Sequence, residues 1–477
     1  MDYLSITLLI LFSCTFFKIV SWVTKSSSTS LPPGPVPLPE NRSLFPVTSK
    51  PHESLTRLAK VYGPLMSLKL GSVTTVVASS PAMAKEFLQK HDQSFTSRTI
   101  LEAITVFNHH KFSMVWLPVS PEWRNLRKIT NSHISATQKL DSLRRQKLDD
   151  LVSYLCLNAT SGSVVNIGHA SFTTVLNLIS SSFFSIDVAD YNSDSMFETA
   201  LREGMLKAGK PNLSDYIPII SFMDVQGIKR RMRNYARIMD DTFDKIIDHK
   251  LELAKEGKSS SSNDLLDIIL GPSHDNGLEL KRHDIKALLK DLLMAATDTI
   301  SATVEWVLAE LLHNPSEMMK AQQELSNIIS KDRPIEESDI IRLPYLQAIV
   351  KETLRLHPPA PFLLPYKAEV DVKIHDFVVP KDTQILINAW AIGRDPTIWA
   401  DPTSFQPERF LDSKIDYKGY HFELIPFGSG RRICTGLPLA HKMTHLMIGL
   451  LLQSFDWKLE NGMKPEDMNM EDGFGFT

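Results

Sequence analysis

The chain has 477 residues, 43% hydrophobic and 22% charged, a balance that supports a large buried core and excludes disordered, collagen-like and coiled-coil classes. Its 52 Lys and Arg against 55 Asp and Glu give a net charge of -3, which excludes a protein built chiefly to coat nucleic acid. Cys14, Cys156 and Cys434 are the only cysteines and form no CxxC pair, so neither a disulfide framework nor a zinc finger is available, and the folded part is expected in a reducing compartment.

Residues 4–23 are apolar apart from small hydroxyl side chains and Lys18, and 20 residues of helix reach about 30 Å, the hydrocarbon thickness of a bilayer. Lys18 can snorkel to the headgroups and Trp22 suits the interface. A cleaved signal peptide would want a basic start, and this one carries Asp2. The expectation is a single uncleaved transmembrane anchor, with Lys18 and Lys25 placing the bulk of the chain in the cytosol. A buried core helix is disfavoured by the residues next in the chain: a polar linker at 26–30, then Pro32, Pro33, Pro35, Pro37 and Pro39, a semi-rigid extended spacer.

Beyond residue 51 no comparable linker and no fixed-period repeat occurs; the soft spots 255–263 and 271–277 read as surface loops. Helical periodicity predicts helices at 52–62, 81–91, 122–131, 139–158, 224–254, 282–313, 315–330, 345–356 and 437–452. Strands are predicted at 65–70, 74–78, 377–379 and 384–388. The reading is one mainly α-helical domain with a small β-sheet.

Several of these elements carry groups that a plain core does not need. Trp123 begins the helix at 122–131, where ordinary packing is its plain reading. The helix at 282–313 is apolar on nearly all sides, yet its middle reads Ala295-Ala296-Thr297-Asp298-Thr299. A carboxylate and hydroxyls there are costly unless used or satisfied; the structural alternative is a threonine bonding back to its own helix with Asp298 capping a neighbour. Glu352 and Arg355 share one helical face, ended by His357-Pro358-Pro359, and alone would read as a surface salt bridge. Last comes Pro426-Phe427-Gly428-Ser429-Gly430-Arg431-Arg432-Ile433-Cys434-Thr435-Gly436, directly before an apolar helix. This is a tight loop whose amides can face the sulfur, and Arg431, Arg432 and the positive helix end favour thiolate. Such a thiolate can be a nucleophile, a metal ligand or an inert structural group.

Phe427, Gly430, Arg432, Cys434 and Gly436 stand at the spacing FxxGxRxCxG, which resembles the haem-binding loop of the cytochrome P-450 superfamily. The resemblance implies Cys434 as the axial thiolate of haem b. Glu352 and Arg355, followed by Arg409 in Pro407-Glu408-Arg409-Phe410, look like the family's structural Glu-Arg-Arg triad. Trp123 and Arg127 fit its WxxxR helix, which implies a haem propionate as partner, with Arg432 converging on it. By the same likeness Thr299 is the dioxygen-pocket hydroxyl and Asp298 the proton-relay acid. The likeness extends along the chain, through 388–395, 422–428 and 454–459, and is most like plant microsomal members of the geraniol 8-hydroxylase group, which oxidise terpenoids. It implies a cytochrome P-450 fold, mainly α with a small β-sheet region, behind an N-terminal transmembrane helix. Residues 1–30 are then anchor and linker, and 31–477 a haem-binding catalytic domain inserting one oxygen atom into a small lipophile at the endoplasmic reticulum membrane, facing the cytosol.

No G-x-G-x-x-G after a strand and no G-x-x-x-x-G-K-[ST] is present, so electrons must come from outside. The resemblance implies an NADPH reductase that brings FAD and FMN and docks on a basic face, with Arg124, Lys128, Lys139, Arg144, Arg145, Arg431 and Lys442 as candidates. Substrate-pocket candidates by analogy are Phe107, Phe112, Met114, Val115, Leu292, Ala295, Ala296 and 362–364, each of which can equally be plain core. Four departures stand out. Ala296 occupies the usual glycine, Ile300 a commonly hydroxylated position, and Tyr366 a position where relatives often carry an arginine for the second propionate; Glu40-Asn41-Arg42 replaces an apolar turn. The sequence is also expected to stop short of the family's terminal hairpin, at Phe474-Gly475-Phe476-Thr477. Rival readings are a haem-thiolate isomerase or dehydratase, a non-catalytic haem-binding remnant, and a cysteine hydrolase pairing Cys434 with His441 or His445.

Overall fold

The computed structural model describes residues 31–35, 50–134, 137–256, 264–271, 280–330 and 333–473. The predicted anchor, its linker, the turn at 40–42, most of both predicted loops and residues 474–477 lie outside them.

In chain order come helix α1 (Pro51–Tyr62), strands β1 (Leu65–Leu70) and β2 (Val73–Ala78), helix α2 (Pro81–Lys85) and strand β3 (Ser97–Arg98). Next are α3 (Pro121–Ile134), α4 (Thr137–Ser161), α5 (Ile167–Phe184), α6 (Met196–Gly209), α7 (Leu213–Tyr216), α8 (Ile228–Lys255), α9 (Leu265–Leu270), α10 (Arg282–His313), α11 (Pro315–Ile328) and α12 (Pro344–Leu356). Strands β4 (Tyr366–Lys367), β5 (Val372–Ile374), β6 (Phe377–Val379) and β7 (Gln384–Ile387) precede α13 (Ala389–Ile392) and α14 (Leu437–Ser454).

A five-stranded sheet runs β1-β2-β7-β4-β3, with β2 and β7 parallel and the other neighbours antiparallel; β5 and β6 form a separate hairpin. The sheet joins chain segments far apart in sequence: Val76 stands opposite Ile385, and Arg98 opposite Tyr366. Most predicted helices and strands are present with ends moved by a few residues, because an apolar face fixes the middle of an element better than its caps do.

Periodicity missed α5 and α6. In α5 the whole run from Ala170 to Ser180 is buried, so no polar face marks the period, and hydroxyls such as Thr174 are satisfied inside by the Ala170 carbonyl at 2.8 Å. Its start is set by Asn166, whose side chain accepts from the His169 N–H at 2.9 Å.

Helix α10 is the axis of the core and packs on α5, α12 and α14. Leu288, Leu289, Leu293, Val304 and Val307 on it are all fully buried. Truncating one such leucine to alanine would cost about 2–5 kcal/mol in lost transfer energy and cavity. Length and hydropathy alone would let α10 pass as a membrane span, with a mean hydropathy of 1.3 over its best window.

Candidate functional site

The loop carrying Cys434 is shaped by its glycines. Gly428 and Gly430 have φ of 70° and 68°, and a Cβ at Gly430 would lie 2.1 Å from the Leu88 carbonyl oxygen. The Cys434 N–H donates to the Phe427 carbonyl at 3.0 Å, closing the loop, and the Phe427 ring packs on Tyr417 at 5.3 Å. Sγ accepts from the N–H groups of Gly436 and Leu437 at the start of α14. Burial pushes the thiol pKa up; the Gly436 N–H, the Arg127 guanidinium and the Leu437 N–H pull the other way without winning. Protein atoms crowd round the sulfur, and the accessible surface Cys434 retains lies on the wall of a cavity. The expectation for the neighbouring arginines is corrected here. Arg431 pairs with Asp92 at 2.7 Å and Arg432 turns to backbone carbonyls, leaving Arg127 as the guanidinium that acts on the sulfur.

That cavity has a volume of about 320 Å³ and is lined by Cys434, Phe427, Trp123, Arg127, Arg432, Arg98, Tyr366 and Thr299, among mostly apolar residues. Trp123 is buried, donates its indole N–H to the Met114 carbonyl at 3.1 Å, and has Arg127 and Arg432 near its ring, at 5.2 and 5.1 Å. Arg127 donates to the Ile433 carbonyl at 2.6 Å; Arg432 donates to the carbonyls of Thr96 at 2.8 Å, Val115 at 3.3 Å, and Leu117. Arg98 donates to the Leu364 carbonyl at 2.7 Å and stacks 4.1 Å above its cross-strand neighbour Tyr366, while its Nε is buried without a hydrogen bond. Among the described residues no carboxylate forms an ion pair with Arg98, Arg127 or Arg432. Burial, then the nearby Arg98, pushes Arg432 down to about 9, and burial likewise lowers Arg127. Guanidiniums crowded without counter-charge around an apolar cavity with a thiol on its wall fit a flat apolar metal cofactor carrying carboxylates on one edge. Haem meets that description.

Sequence reasoning missed Arg98. It also took Tyr366 as a loss of charge, whereas the β3–β4 register sets Arg98 directly against that ring. The signal lies in the pairing of strands far apart in sequence, which one sequence does not display.

The wall facing the thiol comes from α10, which contributes Asp291, Leu292, Met294, Ala295, Thr299, Ile300 and Thr303. Thr299 donates its hydroxyl back to the Ala295 carbonyl at 2.7 Å, the geometry of the structural alternative, yet it stands on the cavity wall. Asp298 is buried and is not among the lining residues. Ala296 faces a smaller neighbouring cavity that also touches Cys434 and Thr299.

The triad residues converge away from the cavity. Arg355 forms a two-pronged pair with Glu352, both bonds 2.7 Å and both side chains fully buried, and Arg409 joins at 3.0 Å. The remaining donors of Arg355 reach the carbonyls of Gly393, Pro402 and Ser404. This is a buried network with its partners in place, not the exposed pair that helical spacing suggests.

Of the proposed pocket residues, Met114, Val115, Leu292, Ala295, Leu363 and Leu364 line the cavity. Phe107 is half-exposed with φ of 50°, Phe112 packs on His283 at 4.1 Å, and Phe362 lines another pocket. The basic face is also redrawn. Arg144 is buried and paired with Asp141 and Glu337, Arg145 pairs with Glu336 at 3.0 Å and Lys442 with Glu337 at 2.7 Å, whereas Arg124 and Lys128 are exposed on the outer side of α3 without an ion pair among the described residues. The Lys139 side chain lies outside the described residues. His445, its pKa pushed down to about 3 by burial, donates from Nδ1 to the His441 carbonyl at 2.6 Å and has no carboxylate partner among the described residues, and His441 is engaged by the Tyr417 hydroxyl at 2.6 Å. A base oriented for a cysteine hydrolase is therefore not assembled among the described residues.

Comparison with known proteins gives a match to the family described as Cytochrome P450 over residues 32–477. The chain is 51% identical to cytochrome P450 76T24 of Catharanthus roseus, over 97% of this chain and 93% of the relative. It is 48% identical to geraniol 8-hydroxylase of the same plant, over 100% and 97%, and 43% identical to drimenol monooxygenase of Persicaria hydropiper, over 100% and 95%. Among solved structures, a zebra fish cytochrome P450 with progesterone superimposes with a TM-score of 0.71 at 26% identity, covering 85% of this chain and 92% of that one.

Proposed function

The chain belongs to the cytochrome P450 family, and from that premise we propose that Cys434 is its haem ligand and a small terpenoid alcohol its substrate. Membership makes it a haem-thiolate monooxygenase supplied with NADPH electrons by a partner reductase. When bound, the haem supplies activation of dioxygen and insertion of one oxygen atom into a C–H bond. Everything else falls to the protein.

The observation that carries the assignment is a thiol held by N–H donors on the wall of a cavity rimmed by uncompensated guanidiniums. Burial favours the neutral thiol in the protein alone, and a metal cation reverses that preference, because a coordinated thiol is deprotonated outright. Arg98, Arg127 and Arg432 would hold the cofactor's carboxylates, with the Trp123 ring packed beside the last two. Phe427, Gly430 and Gly436 shape the loop around the sulfur. Thr299 holds an exchangeable proton at the cavity wall, and Asp298, the residue before it on α10, is the acid that would resupply it. The apolar lining excludes water from the reacting carbon. Glu352, Arg355 and Arg409 hold the fold behind the loop.

A terpenoid alcohol is supported by the relatives that hydroxylate geraniol and drimenol by name, and by the apolar cavity. Residues 31–477 then act as one catalytic domain behind an anchor at 1–30 in the endoplasmic reticulum membrane. An exposed apolar patch, Ile219, Phe222, Met223 and Val225, supports a face turned to lipid. Exposed Arg124 and Lys128 would help dock the reductase, with salt weakening the encounter.

The test is a reduced carbon monoxide difference spectrum of the full chain in membranes. A strongly red-shifted Soret band that disappears in Cys434→Ala is expected, with NADPH-dependent hydroxylation of a monoterpenol in the presence of reductase. A histidine-type band in the wild type would overturn the ligand assignment. NADPH-independent turnover would favour the isomerase or dehydratase.

A further inference from the structure

Away from the thiol and its guanidinium rim, the cavity has a second polar place that haem binding and proton delivery leave unused. Asp291 on α10 is buried, and it is tied to the segment Glu102–Lys111 and the residues after it. Its Oδ1 accepts from His109 Nε2 at 2.9 Å and its two oxygens from the Ser113 hydroxyl, each at 2.8 Å; the Val115 N–H lies 3.4 Å from Oδ2. His109 and Asp291 both line the cavity. A carboxylate accepts, so the tautomer that satisfies Asp291 carries its proton on Nε2 and presents Nδ1 as an acceptor. No hydrogen bond to Nδ1 occurs among the described residues.

Asp291 itself is spoken for by His109, Ser113 and Val115. The group left to meet a ligand is the imidazole, an acceptor in an otherwise apolar wall built by residues such as Ile104, Leu292 and Leu364. Position adds a second constraint. Asp291 precedes Thr299 by eight residues on α10, about 12 Å along the helix axis. A molecule held by its polar end at His109 with its other end near Thr299 is elongated, apolar in the middle and terminated by an O–H.

We propose that His109, oriented by Asp291, accepts a hydrogen bond from the hydroxyl of an elongated apolar alcohol and so sets which end of the molecule lies near Thr299. His109 is the binding residue and Asp291 a positioning residue. The proposal rests on the monooxygenase reading and narrows its substrate to alcohols whose reacting carbon is remote from the hydroxyl.

The experiment compares geraniol with geranyl methyl ether, which keeps the oxygen and the carbon chain and loses only the donor proton. Binding to solubilised full-length holoenzyme is followed by the Soret spin shift and, independently of the iron, by calorimetry. The wild type is expected to hold the ether roughly two- to tenfold more weakly than the alcohol, the worth of one neutral hydrogen bond. In His109→Phe the two should bind alike, and His109→Gln, which restores an acceptor, should recover part of the preference. Asp291→Asn should shrink the alcohol-to-ether ratio; a merely structural Asp291 would weaken both ligands equally and leave the ratio as it was. Equal binding by the wild type, or a preference that survives in His109→Phe, would overturn the proposal. Loss of the red-shifted carbon monoxide band is a different failure: it removes the haem-thiolate reading, while the calorimetric ratio still decides the role of His109.

Discussion

Two arginine-rich regions of this molecule look alike in sequence and are opposite in electrostatics. Behind the cysteine loop, Arg355 is fully buried with a carboxylate on two of its nitrogens and carbonyls on the rest. Around the cavity, Arg98, Arg127 and Arg432 are also largely out of water, but carbonyls and ring faces are their partners and their charge is uncancelled. A buried cation with its anion in place belongs to the scaffold. One without it marks where an anion from outside must sit, because an uncompensated charge in low dielectric is tolerated only when something repays it.

The largest expected effect breaks the compensated side. Glu352→Ala leaves Arg355 and Arg409 without their carboxylate and should cost about 3–5 kcal/mol, read as a lower unfolding temperature or loss of folded yield. A variant as stable as the parent would show that the network does not hold the fold. On the uncompensated side the sign should differ. Arg127→Met removes a charge that no carboxylate among the described residues cancels, so the apoprotein should be as stable as the parent or more so, while haem transfer to apomyoglobin quickens about tenfold for a lost charge-assisted bond. Unchanged transfer would remove Arg127 from the cofactor's partners.

A smaller effect is expected at Thr299, whose hydroxyl is satisfied by its own helix. Thr299→Ala leaves the Ala295 carbonyl in its helical bond, so stability should move by about 1 kcal/mol or less. Peroxide release per NADPH should nonetheless rise severalfold, measured in the reconstituted system, and an unchanged ratio would return Thr299 to a structural role.

His357 lies between the two cases, since it is compensated only while protonated. Burial pulls its pKa down, but the hydrogen bonds to Asp472 and Glu310, each 2.7 Å, outweigh that and raise it above the usual 6.5. A raised histidine pKa contributes stability that is fully present below 6.5 and lost as pH climbs through the folded value. Proteolysis near Asp472 should therefore quicken on the alkaline side in the parent and lose that pH dependence in His357→Gln.

The cysteine loop, the Trp123 and Arg127 pair and the Glu352, Arg355 and Arg409 set were legible because their spacing is local or their order along the chain is fixed. The bounds of α10 were legible for a related reason: an apolar run between Lys281 and His313 has sharp ends. Arg98 and the His109–Asp291 pair were not, since each acquires its meaning from a partner brought close only by the closed fold. Helix α5 escaped for the opposite reason, total burial having erased the polar face on which a period is read.

The long helix α10 carries one further consequence, for how the chain is made. A segment as long and apolar as this is what a translocation channel tests in any chain made beside it. Asp298, together with Lys290 and Asp291, sits on that segment, and each would cost about 2.5–3.5 kcal/mol at the centre of a bilayer. Were the unfolded chain to meet a bilayer, the same charged residues that lie buried in the folded core would hold this helix out of the lipid.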